Sequence, residues 1–146
     1  LPDHTLVELW RDDEVIISWK GAGFTKIDKE TFLSCGHAIA TFGPERRPSV
    51  ADYYIDKSGW KRRVEVQLLE FGGLCQVIVG TQRLATMHRR YAHHFAKLYP
   101  IQLHETWEPF PDLVEGVQWH TVRDSDPGLQ WLAEQLQLAA KELSPH

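Results

Sequence analysis

The sequence has only two cysteines, Cys35 and Cys75. Two thiols build no disulfide framework; they fit a reducing compartment while still permitting a single bridge. No apolar run reaches membrane-spanning length and no secretory leader pattern opens the chain, so a cytoplasmic protein without membrane contact is expected. Basic residues are outnumbered, 16 Lys and Arg against 20 Asp and Glu, for a net charge of -4. Phosphate neutralisation needs a one-sided positive excess, so this balance argues against nucleic acid as a direct partner. There is no internal repeat and no low-complexity tract. Gly-rich phosphate loops, nucleophile elbows and paired catalytic carboxylates are also lacking. Eight histidines are present, but His88, His93 and His94 are spaced five, six and one apart. None of these spacings stacks two imidazoles on one helical face, so no metal site and no cofactor is expected.

What is there is an ordinary globular composition, 42% hydrophobic and 25% charged over 146 residues, enough for a core of about one domain. Elements alternate along it. Leu6 to Arg11 and Val15 to Trp19 read as strands across the acidic triplet Asp12, Asp13 and Glu14. Asp28 stands three residues before Thr31, ahead of a turn or two of helix carrying Ile27, Phe32 and Leu33. "CGHAIATFG" is a short buried strand, and Ser49 to Gly59 a helix between a cap and a stop. "RRVEVQL" alternates with period two, and "FGGLCQVIVGT" returns to helix ending at Gly80. "RLAT" reads as a further strand. "MHRRYAHHFAKLYP" restarts a helix with Tyr91, Phe95 and Leu98 on one face, and "IQLHETW" and "VEGVQWHTV" are strand candidates. Last comes a helix capped at Asp126, opened by Pro127 and striped by Leu129, Leu132, Leu136 and Leu143. The alternation predicts an α/β fold with a mostly parallel sheet of about five strands, helices on both faces. Cys75 sits in an apolar helical context that suits a core thiol. The tryptophans read mostly as core, Trp107 and Trp131 flanking apolar runs, with Trp60 and Trp119 as interface candidates.

"RLATMHRRYAHHFAKLYPIQL", "FPDLVEGVQWH" and "DSDPGLQWLAEQL", with "VELWRDDEVIISWKG" and "RVEVQLLEFGGLCQVIVGT" before them, resemble the C-terminal half of a LysR-type transcriptional regulator. Within that family the chain is most similar to the branch of flavonoid-responsive nodulation regulators and nitroaromatic- or salicylate-responsive regulators. "ATMHRR" and the DPG…WL helix opening carry most of the likeness. Where the family usually has Gly-x-Gly and a following Pro at its crossover, this chain has Gln82 and His88. The resemblance implies a periplasmic-binding-protein-like effector-binding domain of two subdomains, with a small ligand in the cleft between them and no enzymatic activity. It implies one complete subdomain, about 6–86 with its two crossover strands, plus the C-terminal part of the other, about 87–146. On this mapping Leu6 to Arg11 is the first crossover and Gly80 to Thr86 the second. The helix-turn-helix that would contact DNA in such a regulator is not in this sequence, and a homo-oligomer, dimer or tetramer, is implied for the intact protein. A chain opening on Leu1 and soon entering a strand reads as part of something longer; the stripe from Pro127 onward would then need another partner, such as a second molecule.

Ligands of open α/β sheets settle outside the carboxyl ends of strands. One such end is Phe42, followed by Arg46 and Arg47 ahead of the helix at Ser49. A guanidinium near free helical N–H groups suits a carboxylate, and Phe42 suits a ring, so a small aromatic or carboxylate effector is expected there. A solvated arginine pair is the other reading. At the expected hinge, Thr81, Leu84 and Thr86 are candidate floor residues. Asp12 matches an effector-contacting position of the nitroaromatic relatives, with Asp in place of their His; it reads equally as a turn carboxylate. The alternative is a small α/β hydrolase-like enzyme with a histidine of "MHRR" or "YAHH" as general base, which requires a carboxylate orienting that base in a closed pocket.

Overall fold

The computed structural model describes residues 2–142. In chain order the elements are β1 (His4–Asp12), β2 (Glu14–Trp19), α1 (Lys29–Ser34), β3 (Gly36–Phe42), β4 (Arg47–Pro48), α2 (Val50–Lys57), β5 (Arg63–Leu68), α3 (Gly72–Ile78), β6 (Ala85–His88), α4 (Arg89–Phe95), β7 (Ile101–His104), β8 (Leu113–His120) and α5 (Pro127–Glu142). They form two compact units. One runs from Asp13 to Leu113, and the other joins the residues up to Asp12 with those from Val114 on. The chain therefore passes back between units at Leu113/Val114, and Gly80–Thr86, expected as that crossing, lies inside the first.

In the Asp13–Leu113 unit, β2 lies between β6 and β7 and is antiparallel to both. β3 pairs in parallel with β5 and, through a single bridge from His37 to Leu84, with the residue that leads into β6. The expected mostly parallel sheet is thus corrected: antiparallel pairings predominate, and β3 with the short β4 adds another. The reason is one strand. β3, β5, β6 and β7 share a direction, and β2, running the other way between two of them, turns both its ladders antiparallel.

Both faces of this sheet are buried, as β2 shows with its unbroken apolar run. Val15 and Ile17 enter one core with Leu74, Cys75 and Ile78 of α3 and Ala92 of α4. Ile16, on the opposite face, enters a second with Phe32 of α1, Ala51 and Ile55 of α2, and Phe110. Helices therefore cover both faces, as expected. Two of the helix starts follow local chemistry. Asp28 accepts the Thr31 N–H at 2.8 Å, and Ser49 Oγ accepts that of Asp52 at 3.1 Å. α4 ends at Phe95, so Leu98 falls beyond it and is exposed, as is Tyr91; the residue α4 buries is Ala92.

The other unit pairs β1 with β8 and lays α5 against β1. β8 alternates half-buried and exposed residues along its length, the period-two pattern of a strand with one covered face. Asp126 Oδ1 accepts the N–H groups of Gly128 and Leu129, the expected cap. The inward face of α5 is Leu129, Ala133, Leu136 and Ala140. Leu132 is 41% exposed and Trp131, expected in a core, is 62% exposed. Leu143 of the expected stripe lies outside the described residues.

Candidate ligand-binding site

The shared direction of β3, β5, β6 and β7 gathers their carboxyl ends, Phe42, Leu68, His88 and His104, at one edge of the Asp13–Leu113 unit, where β2 begins. Charge concentrates there. Arg89, the first residue of α4, donates from Nε and Nη2 to the two carboxylate oxygens of Asp13, each at 2.7 Å. The same guanidinium donates to both oxygens of Glu105 at 2.9 and 2.7 Å. These hydrogen bonds hold the Asp13 and Glu105 carboxyls below their ordinary range and push the guanidinium above its own. Beside them Glu14, its side chain 1% exposed, places Oε1 3.0 Å from His88 Nδ1. An aromatic strip continues along the edge: Phe71 lies 5.1 Å from the rings of both Phe42 and His88, and 6.1 Å from Tyr91.

A cavity of about 370 Å³ opens next to this network, lined by Asp13, Glu14 and the segment from Glu105 to Phe110 together with Asp112. Trp107 forms an aromatic wall, packed 4.9 Å from Phe32 and 5.1 Å from Trp60. Glu108 accepts the Tyr54 hydroxyl at 2.9 Å.

A second cavity, of about 390 Å³, lies at the opposite end of β3, where Gly36, Cys35 and Thr81 meet Arg63, Glu65 and Arg83. Its one carboxylate is spent internally, because Glu65 accepts from Arg83 at 2.7 Å and from Arg63 at 2.9 Å. Those bonds hold the Glu65 carboxyl low, while burial pushes the Cys35 thiol up.

Of the residues named from the sequence, Phe42, Arg46 and Arg47 come together at the β3–β4 pairing and the others lie apart from them. Phe42 stands at the carboxyl edge. Arg46 ends the exposed β3–β4 turn with a left-handed φ of 49°, and Arg47 opens β4, exposed and paired to Glu45 at 2.6 Å. Thr81 lines the opposite cavity, its hydroxyl donating to Ile78 O at 2.8 Å and accepting from the Arg83 N–H. Leu84 is fully buried in the second core and Thr86 is 4% exposed on β6. Asp12 ends β1 in the other unit. The residues that do line the edge cavity, Glu14 and Trp107 above all, read from the sequence as a turn carboxylate and a core ring and not as site residues. A carboxylate opening the apolar strand "EVIISW" was the available signal.

His88 against Glu14 is a base and carboxylate pair such as the enzyme alternative required, but His88 does not line the edge cavity, so the pair does not face a closed pocket. Among the described residues the candidate nucleophiles nearby are buried. Ser18 meets His104 Nε2 at 2.8 Å but is wholly buried, and burial pushes the Cys75 thiol up to about 11 inside the core.

No family model matches the chain. Nodulation protein D 2 of Rhizobium tropici is 40% identical over 117 residues, covering 80% of this chain and 37% of that protein. The chain thus spans little more than a third of that relative. Among solved structures, a probable transcriptional regulator from Pseudomonas aeruginosa, PA0477, superposes with a TM-score of 0.81 at 20% identity, over 94% of this chain and 46% of that one. CbnR, a LysR family transcriptional regulator, gives 0.69 at 12% identity over 96% and 49%. The effector binding domain of QuiR in complex with shikimate gives 0.69 at 13% over 97% and 67%. These structures share the fold. PA0477 and CbnR are named as transcriptional regulators, and none of these similar proteins supports the hydrolase alternative.

Proposed function

Because the chain is a relative of the C-terminal, effector-binding region of LysR-type transcriptional regulators, we propose that it is a small-molecule-sensing module whose effector sits at the carboxyl edge of the Asp13–Leu113 unit. The observation that carries this reading is the cavity of about 370 Å³ at that edge, with the buried Glu14 carboxylate on its wall. The Trp107 and Phe110 rings among its lining residues suit an aromatic effector. None of the residues named from the sequence lines this cavity, and Arg47, already paired in solvent, contributes little. We assign Asp13–Leu113 to one regulatory subdomain, and β1, β8 and α5 to part of the other. In the longer protein, DNA contact would belong to a separate domain and the regulator would act in the cytoplasm as a homo-oligomer, effector binding biasing its arrangement. QuiR, with shikimate in its effector binding domain, is a precedent for the fold holding a small molecule.

Tryptophan fluorescence tests the proposal, since Trp107 lines the cavity. Titration with aromatic acids, aromatic amines and flavonoids should give a saturable change for at least one class. A flat response to every class would remove the sensing reading.

A further inference from the structure

The cavity at the far end of β3, where Gly36 opens the strand, has a sign. Its charged lining residues are Arg63, Arg83 and Glu65, so two guanidiniums face one carboxylate and one positive charge is left over. That surplus is localised. Glu65 takes up only the Nε–H of each arginine, at 2.9 Å from Arg63 and 2.7 Å from Arg83, and Arg83 gives one Nη1 N–H to Val77 O at 3.3 Å. Among the described residues, neither Nη group of Arg63 nor Nη2 of Arg83 has an acceptor.

The bracket of Arg63, Glu65 and Arg83 is also held in place. The Glu65 carboxylate lies against the bare backbone of Gly36, where any Cβ would collide with it. Arg83 is fixed twice, its main-chain N–H donating to the Thr81 hydroxyl and its Nη1 to Val77 O, and its side chain is 32% exposed. A guanidinium presents two edges that match an oxyanion, one through Nε and one through the paired Nη groups. Glu65 engages each arginine through Nε. The Nη groups therefore remain for a second oxyanion, which enters against a net positive charge, whereas a cation would be repelled. A volume of about 390 Å³ exceeds a bare phosphate and admits a small molecule built around one or two acidic groups.

We propose that this cavity is a second ligand site, separate from the effector site at the carboxyl edge, and that it takes a small oxyanion, phosphate or carboxylate, on the free Nη groups of Arg63 and Arg83. Glu65 opposes the charge of that ligand and limits its affinity. Arg46 and Arg47, the anion-binding candidates of the sequence, do not line this cavity.

Cys35 reports on occupancy. It is half-buried on the cavity wall, whereas Cys75 is fully buried in the core with its thiol pushed up to about 11, so iodoacetamide labels Cys35 selectively. Labelling of the 146-residue chain is followed at fixed pH and ionic strength while inorganic phosphate or succinate replaces chloride, which tells the two sources of oxyanion apart. At least one of them should slow Cys35 labelling saturably. Arg63→Gln and Arg83→Gln should each weaken that binding about ten-fold, the loss of one charge-assisted contact. Folding of the variants is checked by circular dichroism, and Arg63→Gln, whose side chain is 67% exposed, serves if Arg83→Gln does not fold. Glu65→Gln should tighten binding several-fold, and Arg47→Ala should leave it unchanged. Labelling that neither anion slows, or that follows ionic strength alone, overturns the inference, as does binding that survives Arg63→Gln or weakens in Glu65→Gln. Trp107 lines the other cavity and no tryptophan lines this one, so the fluorescence titration and the labelling can fail independently.

Discussion

His37 shows how one residue on β3 ties the fold to pH. It is fully buried, its ring 4.3 Å from that of Phe32. Nε2 lies 2.7 Å from Phe32 O, and a carbonyl can only accept, so the proton sits on Nε2 and Nδ1 is left bare in the core. Charging the ring would bury a second N–H without a partner. Burial accordingly pushes its pKa from 6.5 down to about 4. The unfolded chain then takes up a proton that the folded one refuses, so stability is full above pH 6.5 and is lost as pH falls from there toward 4. At about 1.4 kcal/mol per unit the loss is on the order of 3 kcal/mol. Asp13 and Glu105, held low by Arg89, add their own loss only at more acidic pH. Urea unfolding at pH 7.5 and pH 5 should show the decline, and His37→Gln, which keeps a donor for Phe32 O, should reduce it, leaving the part due to His104, whose pKa burial also lowers. An equal slope in the variant would place the sensitivity elsewhere. In the sequence His37 is one letter of a buried strand; its titration depends on α1 folding back over it.

At the scale of the element, Gly116 on β8 is a point of close approach. A Cβ there would meet Val7 O and Leu6 Cδ1, both at 2.9 Å, and the first is backbone of β1. Gly116→Ala must push the two strands apart, and overpacking of about 1–3 kcal/mol outweighs the gain of under 1 kcal/mol from a stiffer unfolded chain. The expected outcome is a lowered Tm with early loss of α5 ellipticity, since α5 rests on β1; an unchanged melt would show that the ribbon accommodates the methyl. Features set by neighbouring residues were legible beforehand: the caps at Asp28, Ser49 and Asp126, and the alternation of β5 and β8. Sheet direction was not, because it depends on which strands accept β2 as a neighbour. The stripe Tyr91, Phe95 and Leu98 misread α4 for a related reason: the helix stops one turn too soon for its third member to join. Of the candidate residues only Phe42 falls at the carboxyl edge, and none of them lines the edge cavity. Glu14 and His88 lie 74 residues apart in sequence, and only the β2–β6 register brings them face to face.

Across the whole molecule the two units differ in how much they bury. Among the described residues, every buried hydrophobic side chain belongs to Asp13–Leu113 except Ala133 and Ala140 of α5. Each of those two removes only a methyl group from water, whereas Val15, Ile16, Ile17, Phe32, Ile55, Leu74 and Ile78 each contribute roughly 1.5–3 kcal/mol when fully buried. α5 meanwhile leaves Trp131, Leu132 and Leu138 exposed on its outer side. Opening of β1, β8 and α5 therefore sacrifices little burial, and opening of the β2 ladders sacrifices both cores at once. Local stability should follow that difference. Native-state hydrogen exchange of the chain should show the slowest amides in β2, β3 and β6, with those of α5 exchanging by a much cheaper opening whose rate does not track global unfolding. Addition of a ligand that occupies the cavity beside Glu14 should slow exchange of the β2 and β7 amides and leave the amides of α5 unaffected. If instead α5 exchanged as slowly as β2, and only by global unfolding, the 146 residues would unfold as one cooperative body and the division of stability argued from burial would be wrong.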